Sequence, residues 1–157
     1  MTPPPRRDAN PDRTRRRALG LIARREHSRA ELLAKLVRSG HGRAEAERAV
    51  EDLADRGLVS DARFAEAFIR SRIERGGGPL RIRRDLEARG VESSIVGRLL
   101  DPDDEEWETR ALRAREKRFG AARPAGRSEA ARQARFLLAR GFTRRQVRRA
   151  IEETGRE

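Results

Sequence analysis

The sequence contains no cysteine and no tyrosine, and only one methionine, one tryptophan and two histidines in 157 residues. Without cysteine there is no disulfide framework, no thiolate zinc site and no cysteine nucleophile. The two histidines, His27 and His41, read as polar surface near helix ends. No apolar run approaches the roughly 20 residues of a membrane span. No apolar signal-peptide core opens the chain, so a cytoplasmic protein with no membrane partner is expected. Gly76-Gly77-Gly78 lacks the Gly-Lys-Ser/Thr ending of a phosphate loop and reads as a helix break. The acidic run Asp103, Asp104, Glu105 and Glu106 suits the positive end of a helix dipole better than a metal. Nothing pairs a nucleophile with a base. No enzyme activity, cofactor or metal is expected.

Strongly apolar residues are also scarce. Leu, Ile, Val and Phe number 14, 6, 6 and 5. That lies just under the ~20% below which a highly charged chain is suspected of disorder. Composition alone therefore does not promise a fold, and periodicity has to supply the argument. What the chain has in abundance is positive charge: 38 basic residues against 26 acidic, a net +12. All the basic residues except Lys35 and Lys117 are arginine. Such a bias reflects base composition and carries no chemistry by itself. The net charge does, because it favours a polyanionic partner.

Residues 1–17 hold four of the seven prolines and show no apolar period, so a disordered basic arm is expected there. From Ala18 on, the pattern is helical. Ser28-Arg29-Ala30-Glu31 has the form of a capping box, followed by Leu32, Leu33, Leu36 and Val37 at helical spacing. A helix with Ala46, Ala49, Val50 and Leu53 on one face ends at Gly57. Asp61 is placed to cap the next, with Phe64, Phe68, Ile69 and Ile73 inward. Pro79 opens a helix carrying Ile82 and Leu86, and Asp101-Pro102 opens a longer one through Trp107 and Phe119. Thr143-Arg144-Arg145-Gln146 is a second capping box before Val147, Ala150 and Ile151. No stretch alternates with the period of a strand, and the fold class is all-α.

The helices repeat. The stops Leu36 to Gly40, Leu86 to Gly90 and Leu137 to Gly141 fall at intervals of 50 and 51 residues. Each is followed by a helix with an apolar pair: Val50/Leu53, Ile95/Leu99 and Val147/Ile151. The expected organisation is three tandem three-helix, helix-turn-helix-like repeats over residues 18–58, 59–102 and 103–157, forming an elongated curved molecule. A unit this small buries little alone, so stacking on its neighbours has to supply part of the stability.

Four stretches carry a resemblance. They are Ala18-Leu19 with Arg24 to Leu32 and Leu36; Gly57-Leu58-Val59-Ser60-Asp61-Ala62-Arg63-Phe64-Ala65; Gly78-Pro79 with Ile82, Leu86 and Gly90-Val91; and Phe136 to Phe142. On these the chain resembles the RecX family of bacterial regulators of the RecA recombinase, over residues 18–152. Ser60 stands where a second aspartate is expected, a departure at a helix cap. The resemblance implies tandem three-helix repeats and a non-enzymatic role. It also implies binding to the RecA–DNA filament, which lowers recombinase and ATPase activity in DNA repair and the SOS response.

The residues make their own case for a polyanion. Residues 1–29 hold nine arginines and three acids, and residues 127–157 hold nine arginines and four acids. The middle is nearly balanced. On the last helix, Arg145, Arg148 and Arg149 lie opposite the apolar face, with Arg144 flanking. Their i,i+4 repulsion would be relieved by an anion, a merely solvated face being the alternative. Arg81, Arg83 and Arg84 form a smaller cluster with Asp85 and Glu87 within reach. Arg24 and Arg25, in the first matching stretch, join these as candidate contacts. Base-stacking platforms are poor, with five phenylalanines mostly at core-like positions. A composite protein–DNA surface is therefore favoured over autonomous tight binding to single strands. Gln146 is the lone base-reading candidate, and sequence-specific duplex recognition is a minor alternative. The expected partners are a RecA filament and the backbones of single- and double-stranded DNA, bound by a monomer. In that reading the last helix takes the phosphates and the balanced middle takes the protein. The reading from another class is a general nucleic-acid-binding module, nucleoid- or RNA-associated, that needs no RecA.

Overall fold

The computed structural model describes residues 10–153 as nine helices with no strand among the described residues. They are α1 (Pro11–Arg24), α2 (Arg29–Arg38), α3 (Arg43–Asp55), α4 (Asp61–Glu74), α5 (Pro79–Ala88), α6 (Ser93–Leu99), α7 (Glu106–Phe119), α8 (Arg127–Arg140) and α9 (Arg144–Glu152). Successive triplets pack into three units, as the fifty-residue period implied.

The starts and stops follow local chemistry. Ser28, Ser60 and Thr143 each accept a hydrogen bond from the third helical amide. At Thr143 the box is complete, because Gln146 Oε1 accepts from the Thr143 amide at 2.9 Å. At Ser28 it is not, since Glu31 turns to the Arg25 guanidinium at 2.8 Å. Ser60, and not Asp61, is the cap of α4, so the serine does the work of the expected aspartate. Helix α7 begins at Glu106, after Asp101 and Asp104 have each bonded an amide two residues on. The three repeated stops have one geometry. The amides of His41, Val91 and Phe142 reach back to the carbonyls of Leu36, Leu86 and Leu137 at 3.1, 3.2 and 3.3 Å. This closure needs a left-handed residue just past the helix, which is why glycine recurs there.

The expected arm is corrected from Pro11 onward. Helix α1 starts there, capped by Asn10, whose side chain accepts from the amides of Asp12 and Arg13. Pro11 opens this helix in place of breaking one. Thr14 and Ala18 are buried, and Thr14 Oγ1 lies 2.9 Å from His41 Nδ1. Residues 1–9 lie outside the described residues.

Unit 1 has its own core: Ala18, Leu32, Leu36, Ala46, Val50, Leu53 and Val59. Units 2 and 3 share one, in which Phe64, Ile82, Leu86 and Val96 meet Trp107, Leu137, Phe142 and Val147. Trp107 donates its indole N–H to the Asp101 carbonyl at 2.9 Å and stands edge-on to Phe142.

The units are joined at matching places. The C-terminal turn of α8 sits on the start of α5: the Gly78 amide donates to the Arg140 carbonyl at 2.8 Å, and the Leu80 amide to the Gly141 carbonyl at 2.9 Å. The C-terminal turn of α5 sits in the same way on the start of α2, where the Ser28 hydroxyl donates to the Arg89 carbonyl at 2.9 Å. The Arg29 amide there donates to an Asp61 carboxylate oxygen at 2.8 Å. Carbonyl ends thus meet amide ends, and the helix dipoles of α8, α5 and α2 follow head to tail.

His27 is buried beside this joint, contrary to the expectation of a surface residue. Its Nδ1 lies 3.0 Å from the Arg25 carbonyl and its Nε2 2.9 Å from Lys35 Nζ. A neutral ring satisfies both, donating from Nδ1 and accepting at Nε2. Burial first, and the Lys35 and Arg25 charges after it, hold the imidazole below its ordinary value. The unfolded chain therefore takes up this proton more readily than the folded one. The stabilisation is complete above the unfolded value, about pH 6.5, and is lost as pH falls through the lower folded value. The melting temperature is expected to drop between pH 7.5 and pH 5. His27→Gln should flatten that drop, and an identical drop in the variant would remove His27 as its source.

Candidate nucleic-acid interface

Helix α9 presents Arg144, Arg145, Arg148 and Arg149 to solvent, as its amphipathic pattern requires. The repulsion between Arg145 and Arg149 is answered from within. Glu108 of α7 sits between the two, 3.3 Å from Arg145 Nε and 3.8 Å from Arg149 Nε. Arg149 also reaches Glu153 at 3.3 Å. The other pair, Arg144 and Arg148, has no ion pair among the described residues. Gln146, the base-reading candidate, is buried and spends its amide on the Pro102 carbonyl at 2.7 Å.

Arg144 points elsewhere. It lines a depression of about 280 Å³ together with Arg81 and Arg84, beside Leu80 and Leu138. The two clusters that are sixty residues apart in the chain meet here, because the α5–α8 joint brings the start of one helix to the end of the other. Arg81 also borders a second depression with Arg72, Arg75 and Arg140, and Asp85 is the acid on its wall. Arg75 and Arg140 in turn border a recess of about 490 Å³ between the C-terminal ends of α4 and α8 and one stripe of α7. Arg110, Arg113, Lys117 and Arg118 complete its rim, and Glu74 is its acid. Shared lining residues set the three depressions side by side as a cationic groove across units 2 and 3.

The groove is braced from below. Arg140 donates to the Arg75 carbonyl at 2.9 Å and lies over the Phe136 ring at 5.0 Å. Arg118 lies over Phe119, which stands edge-on to Phe136 at 5.3 Å. Arg110 is held by Glu106 at 2.6 Å and by the Trp107 face. For Arg75, Arg84, Arg113, Lys117 and Arg144 no ion pair is found among the described residues. Unpaired guanidinium and ammonium groups along a groove are what a phosphate backbone needs.

Of the residues marked from sequence, Arg81, Arg84 and Arg144 line this groove, whereas Arg83, Arg145, Arg148 and Arg149 do not. Arg24 and Arg25 belong to unit 1, where Arg25 is paired with Glu31. Sequence reasoning missed Arg72, Arg75, Arg110, Arg113, Lys117, Arg118 and Arg140. The spacing of Arg110, Arg113 and Lys117 on one helical stripe was the readable signal. Unit 1 has a separate cationic depression lined by Arg13, Arg16, Arg17, Gly20, Ser39 and His41.

Three family models match the chain in order: the first three-helix domain of RecX over residues 15–53, the second over 60–100 and the third over 104–151. The regulatory protein RecX of Halorhodospira halophila is 50% identical over 133 residues, 85% of this chain and 83% of that protein. That of Chromohalobacter salexigens is 43% identical over 134 residues, 85% and 88% of the two chains. The crystal structure of RecX from Lactobacillus salivarius matches with a TM-score of 0.75 at 20% identity, covering 92% of this chain and 96% of that one, a likeness of fold.

Proposed function

Because the chain belongs to the RecX family of regulatory proteins, we propose that it binds the RecA–DNA filament and lowers its recombinase and ATPase activities. The observation that carries the DNA part of this reading is the row of adjoining depressions on units 2 and 3, with many cations on their walls and Glu74 and Asp85 as their acids. Phosphates of the filament's DNA lie along that groove, and the less charged surfaces face protein. Occupying both at once blocks monomer addition or strand exchange. The protein acts by binding, without catalysis of its own.

The deciding experiment is the RecA ATPase on single-stranded DNA with this protein titrated in. Progressive loss of ATPase supports the reading. Unchanged ATPase, with DNA binding that is the same in the presence and absence of RecA, replaces it by a general nucleic-acid-binding module.

The groove itself is tested by charge removal. Arg84→Gln, Arg113→Gln and Lys117→Gln together remove three unpaired cations and keep helix propensity. The log–log salt slope of binding is expected to shrink by about 2 on single strands and nearer 3 on duplex. Arg145→Gln with Arg149→Gln, whose partner is Glu108, should change the slope far less. The reverse ranking would move the phosphate contacts back to α9.

A further inference from the structure

The recess at the α7 end of the groove is the roomiest of its three depressions. Its rim is cationic, but its floor is apolar: Ile73 of α4, Ala114 of α7 and Phe136 of α8. Its volume, about 490 Å³, falls in the ~300–1,000 Å³ range of small-molecule sites. A duplex backbone, tracked by charge alone, has no use for an apolar floor of this depth. We propose that the recess takes an unstacked base of single-stranded DNA while the rim holds its flanking phosphates.

Three observations carry this. The recess opens into the cationic groove through Arg75 and Arg140, so a strand lying on the groove passes its mouth. Arg140 lies over the Phe136 ring with its guanidinium tethered to the Arg75 carbonyl. A guanidinium anchored over an aromatic ring is a ready platform, since bases stack on guanidinium planes as well as on rings. Charge complementarity also decides against an uncharged occupant. Arg75, Arg113, Lys117 and Arg118 stand around the mouth against Glu74 alone. An acidic peptide shares the charge but brings backbone amides that an apolar floor leaves without acceptors. The proposal rests on the reading of the groove as a DNA track, and it departs from the sequence-level expectation that stacking plays little part.

The test compares two labelled strands of equal length, a deoxythymidine oligomer and an abasic phosphodiester of the same charge, by fluorescence anisotropy at fixed salt. One stacked base corresponds to a preference for the thymidine strand of about tenfold. Ala114→Leu fills the floor from a half-exposed helical position and leaves every rim cation in place. It is expected to bring the preference close to one, with folding checked by circular dichroism. Photocrosslinking wild-type protein to 5-iodouracil oligomers needs no variant, and adducts are expected within residues 73–77, 110–118 or 136–140. Equal binding of both strands, a preference that survives Ala114→Leu, or adducts confined to other segments overturns the proposal. So does a phenylalanine-containing acidic peptide whose binding is lost in Ala114→Leu while the strands show no preference. If neither strand binds, it is the reading of the groove that fails. An inactive protein in the RecA assay that still prefers the thymidine strand leaves this inference standing.

Discussion

Gly141→Ala is expected to cost about 4 kcal/mol, among the largest effects of any single methyl group in the molecule. Two causes combine. Gly141 has φ +97°, where an L side chain is strained by about 1–2 kcal/mol. In addition, a Cβ there would stand 2.3 Å from Arg81 Cβ and 2.6 Å from the Arg81 amide nitrogen. Those are backbone and near-backbone atoms of α5, and no rotamer change moves them. The helix end must lift off its neighbour, breaking the Gly78 and Leu80 hydrogen bonds. The repeat supplies its own controls. Gly40 holds the equivalent place in unit 1 with φ +96° and nothing within 4 Å of an added Cβ. Gly40→Ala should therefore show the backbone strain alone, about 1 kcal/mol. Gly90 is intermediate, since its added Cβ would meet the Ala30 Cβ at 2.5 Å but the Ala30 backbone no nearer than 4.0 Å. Chemical denaturation of the three variants should rank them 141, 90, 40. Equal losses at all three would mean that strain alone matters and that the joints contribute little.

Arg115→Ala is expected to cost about 3 kcal/mol and to loosen the segment between α7 and α8. Arg115 is fully buried, with no carboxylate as direct partner. It donates from Nε to Gln133 Oε1 at 2.8 Å, from Nη1 to the Gly120 carbonyl at 3.3 Å, and from Nη2 to the Ala122 carbonyl. Gln133 is itself oriented by Glu129, to which its amide donates at 3.3 Å. Burial lowers the guanidinium pKa, yet a group of this basicity stays charged. Three neutral acceptors thus hold a buried cation, and the cation in turn holds the loop. Lysine lacks the planar fork and cannot reach all three, so Arg115→Lys should recover only part of the loss. Limited elastase digestion reads out the loop directly, since Ala121, Ala122 and Ala125 offer sites in it: cleavage within residues 120–127 should accelerate in both variants. Unchanged digestion would mean that the loop is held by other contacts.

The helices were legible because each obeys local rules. Leucines at 3.6-residue spacing mark the buried faces, and the Leu36, Leu86 and Leu137 stops are legible because the glycine after each is forced by backbone geometry. The start of α1 was not legible. Its Asn10 cap and Pro11 sit among prolines and arginines that look like a tail, and the contacts that hold it, Thr14 to His41 and Arg15 to Asp52, are tertiary. His27 was misplaced for a related reason. A histidine near a helix end is ordinarily wet, and its burial follows from Lys35 and the Arg25 carbonyl closing over it. The groove was legible in part. Arg81, Arg84 and Arg144 were marked for their local density, but Arg75, Arg113 and Arg140 come together only through packing of the ends of α4 and α8 against α7. In a chain with this much arginine, local density does not separate a paired cation such as Arg145 from an unpaired one such as Arg113. Glu108, which makes that distinction, lies 37 positions from Arg145.

The polar joint between units 1 and 2 has a consequence for how ligands of different length are held. Units 2 and 3 share a core, whereas unit 1 keeps its own and is attached at Ser28, Arg29 and the α5 turn. Each side of that joint carries a cationic surface of its own, Arg13, Arg16 and Arg17 on one side and the long groove on the other. The attachment works as a tether of a few residues. On the proposed reading, a strand seated in the groove would meet unit 1 at an effective concentration in the millimolar range. A ligand too short to reach both surfaces gains nothing from this. Affinity should therefore rise with strand length in a step, at the length that first spans the two, and dissociation of longer strands should slow at the same point.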